Sequence, residues 1–101
     1  MASYLLIESR SDLESPDVAA LREYAARLSR DGHRVDYFLV QNAVVGAQPG
    51  LAALGAAGVA VHVDGQALSA RAVPVPAGGT RADIAELVSL LMTPGVIAVW
   101  H

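Results

Sequence analysis

Between residues 60 and 71 (AVHVDGQALSAR) the chain changes its period with no spacer. The apolar run 59–63 stops at Asp64-Gly65, and a helical-looking segment, 66–71, begins at once. A strand that turns directly into a helix belongs to α/β architectures, where each strand is covered by the helix that follows it. In such folds ligands sit beyond the carboxyl ends of parallel strands, where helix N-termini aim their free N–H groups. Asp64 stands at that point and is the first candidate site residue.

The same alternation repeats along the chain. Residues 4–8 (YLLIE) form a continuous apolar run, as a strand buried on both faces requires. Ser15-Pro16-Asp17 then reads as a helix start, with Ser as N-cap and Pro in the first turn. Val18, Leu21, Ala25 and Leu28 keep helical spacing, and Gly32 fits the left-handed position past the helix end. Residues 34–40 (RVDYFLV) are the second strand, ending on the polar pair Gln41-Asn42. Residues 43–50 read as a loop, 51–57 (LAALGAA) as a short helix and 59–63 as the third strand. Two prolines keep 73–76 (VPVP) out of any central strand. Residues 80–83 resemble a capping box. Ile84, Leu87, Val88 and Leu91 mark the buried face of the helix that follows, and 96–100 (VIAVW) is a last strand. The expected architecture is a three-layer α/β/α domain, with a mainly parallel sheet of four to five strands.

At 101 residues this is a single domain, 1–101, yet 53% of it is hydrophobic and only 17% charged. A domain so small cannot hide that much apolar side chain inside its own core. The surplus points to subunit interfaces and so to an oligomer. The net charge is −3, and all seven basic residues are scattered arginines, which argues against nucleic acid as a partner. No run of 18 apolar residues is present to span a membrane. The start, MASYLLIESR, lacks a basic n-region, so the cytoplasm is the expected location. With no lysine, Schiff-base chemistry is excluded. With no cysteine, thiolate nucleophiles, persulfides and cysteine metal sites are excluded as well.

Four segments together resemble the DsrE/DsrF/DsrH family of small sulfur-relay proteins, which includes the TusB, TusC and TusD subunits. They are the SxxDLESPD-type loop into the first helix, DGHRVDYFLVQNAV, GVAVHVDGQALSARAV and LVSLLMTPGVIAVW. In the third, Arg71-Ala72 falls on the family's Arg-Gly and Asp64 falls on its cysteine. The resemblance implies a flavodoxin-like, DsrE-like fold and a trimer, hexamer or hetero-hexamer. It also implies a lineage whose active members carry sulfane sulfur on that cysteine. Here a carboxylate occupies the position, and a carboxylate cannot hold a persulfide. TusB-like and TusC-like subunits offer the precedent of members that assemble without the main transfer cysteine.

Five residues are candidates for ligand or partner binding: Asp64, Gln41, Asn42, His62 and Arg71. Asp64 reads as a helix cap, or as a fixed anion where a relative has a thiolate. His62, two residues earlier, leaves the strand on the same side, and a His–Asp pair is what orients an imidazole as a base. Gln41 and Asn42 end the neighbouring strand. Arg71 pairs with Asp64 or with a partner's carboxylate. Met92 and Trp100 read as core or interface. No histidine spacing supports a metal site, no cofactor is implied and no catalytic residue is assigned. The first reading is a non-catalytic subunit, homo-oligomeric or hetero-oligomeric with a cysteine-bearing paralogue. The second is a module binding a small molecule near Asp64, Gln41 and Asn42. An acid/base enzyme using His62 and Asp64 ranks last.

Overall fold

Strand β1 (Ser3–Glu8) opens the chain and becomes an inner strand of the sheet. The computed structural model describes residues 1–45 and 49–101. After β1 come α1 (Asp17–Arg30), β2 (Arg34–Leu39), a 3-10 turn (Gln41–Val44), α2 (Pro49–Ala56), β3 (Ala60–Asp64), α3 (Gly65–Ala70), β4 (Thr80–Ala82), α4 (Ile84–Leu91) and β5 (Val96–Trp100). The expected loop 43–50 therefore resolves into the end of the turn and the start of α2. Its residues 46–48 lie outside the described ones.

The five strands are parallel, in the order β4-β3-β2-β1-β5. Crossovers between parallel strands are right-handed. Three successive crossovers step from β1 towards β4, so α1, α2 and α3 share one face. The fourth steps back across the whole sheet to β5, which puts α4 alone on the other. The cores agree with that layout. Leu6, Val35, Tyr37, Leu39, Val61 and Val63 meet Ala25, Leu28, Leu51, Leu54 and Leu68 on the first face. Leu5, Ile7, Phe38 and Val40 meet Leu87 and Leu90 on the second.

Several elements differ from the reading of the sequence. Pro16 takes the cap position of α1, and Ser15 Oγ accepts from Asp17 N at 3.2 Å, one residue out of the expected frame. Residues 80–82 pair with β3 as a strand, so the cap of α4 moves to Asp83, whose Oδ1 accepts from Glu86 N at 2.9 Å. The largest difference is the face that α4 buries. Leu87 is buried and Leu90 half-buried, while Ile84, Val88 and Leu91 stand 44%, 50% and 40% exposed. Met92 and Trp100 are not core either, at 77% and 63% exposed. One helix cannot cover a five-stranded face, and its apolar arc is wider than the strip it covers.

Candidate functional site

Asp64 is the N-cap of α3, and its Oδ1 accepts from Gln66 N at 3.2 Å. The run from β3 into α3 leaves no linker, so the last strand residue has to serve as the first cap. The residue is buried. Arg81, from β4, lies across the same helix start and donates from Nη2 to Gly65 O and to Ser69 Oγ, both at 3.0 Å. A Cβ on Gly65 would come within 2.7 Å of the Arg81 guanidinium, so the glycine is what lets Arg81 settle there.

At the neighbouring strand end, Arg71 donates to Asn42 Oδ1 from Nη2 at 2.8 Å and from Nε at 3.2 Å. Its Nη1 reaches Ala67 O at 3.3 Å. Gln41 is exposed and holds a φ of +51°, in the left-handed region that non-glycine residues seldom occupy. The structure thus joins Asn42 to Arg71, with Gln41 beside Asn42, and gives Arg71 the amide of Asn42 in place of the expected Asp64 carboxylate.

His62 does not take Asp64 as its partner. Its Nε2 lies 2.9 Å from Asp36 Oδ1 on β2, and its ring stacks on Phe38 with centroids 5.4 Å apart. Arg34 Nε donates to the other oxygen of Asp36 at 3.2 Å. Burial acts to raise the Asp36 pKa, but the bonds from His62 and Arg34 outweigh it and hold the carboxyl below its ordinary value. The three residues line a cleft of about 260 Å³ whose far wall is Glu86, Ser89, Leu90 and Thr93 of α4 and its end. Asp36 left a signal in the sequence, because a carboxylate inside an apolar strand must be paired. Its partner left none, because spacing does not fix the register between strands 26 residues apart.

A second charged group went unread. Glu8, at the end of β1, is fully buried. Arg22 of α1 grips it with two bonds, Nε to Oε1 at 3.3 Å and Nη2 to Oε2 at 3.0 Å, and the Tyr37 hydroxyl donates to Oε1. Burial and the nearby Glu8 charge push the Tyr37 hydroxyl far above its ordinary pKa, against the opposing pull of Arg22. Burial acts to lower the Arg22 pKa, and Glu8 outweighs it, so the guanidinium stays charged. Arg22 also lines a cleft of about 370 Å³ between α1 and α2, with an apolar floor of Val18, Ala26 and Leu54. Neither cleft includes Gln41, Asn42 or Asp64. Among the described residues no three His, Asp or Glu side chains converge as a metal site would require.

No protein-family model and no curated protein matches the chain. Among solved structures it is similar to the ychN protein from E. coli, at 16% identity and a TM-score of 0.76. The match covers 98% of this chain and 100% of that one. The likeness is one of fold: the parallel α/β architecture expected from the sequence is the one this chain adopts.

Proposed function

We propose that the chain is a non-catalytic, partner-binding subunit of a sulfur-relay-type assembly, as a homo-oligomer or beside a cysteine-bearing paralogue. One observation carries this reading. The position where the family resemblance expects a sulfur-bearing cysteine is Asp64, and its carboxylate caps α3. An oxygen anion cannot bond sulfane sulfur, and the chain has no thiol elsewhere. What remains for it to do in such an assembly is to dock. Gln41 and Asn42 are exposed and Arg71 is half-exposed, and they offer polar contacts at the strand ends. The test is a native pull-down from the source cell on immobilised protein, read by mass spectrometry. Parent protein should recover a cysteine-containing DsrE-like chain or further copies of itself, and Arg71→Ala should recover about tenfold less of the cysteine-containing chain, equivalent to ~1.4 kcal/mol. Equal recovery by the two baits removes this surface from the proposal.

A small-molecule module is the second reading, favoured by the Asp36–His62 pair. The ligand then sits against His62 beneath α4, and not near Gln41, Asn42 and Asp64. A co-purifying small molecule that is lost in His62→Ala supports it.

A further inference from the structure

The two flanks of α4 differ in kind. Glu86, Ser89 and Thr93 turn towards the His62 cleft, over β2 and β3. Since Leu87 and Leu90 seat the helix, the opposite flank, Ile84, Val88 and Leu91, overhangs the half of the sheet formed by β1 and β5. Ala98 and Trp100 lie on that same face, because their register partners are Leu5 and Ile7, which pack in the core under α4. This half-face has an apolar floor, β5, and one apolar wall, α4. No second helix closes it among the described residues, although the opposite face carries three.

We propose that a second copy of this chain closes it. Around a two-fold axis, each α4 lays its Ile84–Val88–Leu91 flank over Trp100 and Ala98 of the other copy. This inference rests on the homo-oligomer half of the proposed function and gives the contact between copies a surface of its own, apart from Gln41, Asn42 and Arg71. Ile84, Val88, Leu91, Ala98 and Trp100 are all uncharged, so they offer a charged peptide or a salt-bridging partner nothing to pair with. The groove calls for an apolar helix flank, and the chain carries one beside it, which is the self-complementarity that a closed two-fold contact needs. The exposed parts of Ile84, Val88, Leu91, Met92 and Trp100 come to roughly 500 Å², against roughly 800 Å² per partner in a standard interface. β5 is also an edge strand, and VIAVW holds no proline or charge to keep other strands away. The two-fold contact shields that edge.

Trp100 is the sole tryptophan and so reports on the contact directly. Light scattering and tryptophan emission are followed together as the protein is diluted from high to low micromolar concentration. Parent protein should run as a dimer or a multiple of one, with emission moving to the red as it dissociates. Val88→Asp and Leu91→Asp change side chains already half exposed. They should be monomeric, red-shifted at every concentration and unchanged in far-ultraviolet circular dichroism. Ala20→Asp, on the exposed side of α1, should assemble like the parent. If Val88→Asp and Leu91→Asp assemble like the parent with unmoved emission, the interface lies elsewhere; the inference fails and the subunit reading stands. If the parent stays monomeric yet recovers a cysteine-bearing paralogue, the second copy is the wrong occupant and the subunit reading again stands. A parent that neither self-associates nor recovers a partner overturns both.

Discussion

Glu8 is a carboxylate with no access to water, and such a group folds only if the protein answers its charge. Arg22 and Tyr37 do so together. Arg22→Met leaves the anion unpaired and should cost ~3–5 kcal/mol in chemical denaturation, while Glu8→Leu with Arg22→Met should recover much of that loss. Tyr37 adds a dependence on alkali. Its folded pKa is raised above the unfolded value of 10.0, so above that pH the folded chain holds a proton that the unfolded chain has released. Stability is then whole below about pH 10 and declines as pH rises beyond it. Tyr37→Phe should abolish that part of the decline, seen as a flatter alkaline limb of stability against pH. Asp64 is tested by two exchanges. Asp64→Asn keeps the cap and should lose at most ~1 kcal/mol, whereas Asp64→Ala also loses the cap. If the Asn form recovers as much partner as the parent, the charge has no role in docking. The cap of Asp64 was legible because strand and helix adjoin in the sequence. The partner of His62 was not, because Asp36 reaches it only through the register of β2 and β3.

At the scale of elements, periodicity located α4 and misassigned its buried side. A helix with apolar residues at 84, 87, 88, 90 and 91 has an arc wide enough to seat in more than one rotation, and contact with the sheet decides among them. β4 was unreadable for another reason. Thr-Arg-Ala has no strand pattern, and it pairs because the turn before it delivers the backbone beside β3. Gly78 makes that turn at φ +90°, where an added Cβ would lie 2.8 Å from Ala52 N. Gly78→Ala forces both a strained backbone and a clash with main chain, and should cost ~1–3 kcal/mol by thermal or chemical denaturation. Asp83→Ala should cost ~1 kcal/mol in the same assay, and Asp83→Asn only a small part of it.

For the molecule as a whole, composition already held the decisive clue. A chain with 53% hydrophobic residues folds into a sheet with one face well covered and the other half covered, so the surplus is gathered on α4 and β5. Which surface holds it was beyond the sequence, since that depends on the fourth crossover stepping back past the first strand. Incubation with a persulfide donor should add no mass corresponding to sulfur, as read by intact mass spectrometry; a stable stoichiometric increment contradicts the docking-only reading. The same crossover has a consequence for synthesis. β1 lies between β2 and β5, and its pairing of Ser3 with Val96 joins residues almost a chain length apart. Contacts so distant slow folding, because a large loop must close before they form. On the ribosome β1 is made well before β5 and gains its second neighbour only when β5 follows. Until residues 96–100 emerge, Leu5 and Ile7 sit on an open edge, and the interval between their synthesis and that of β5 is when the nascent chain is most exposed to aggregation.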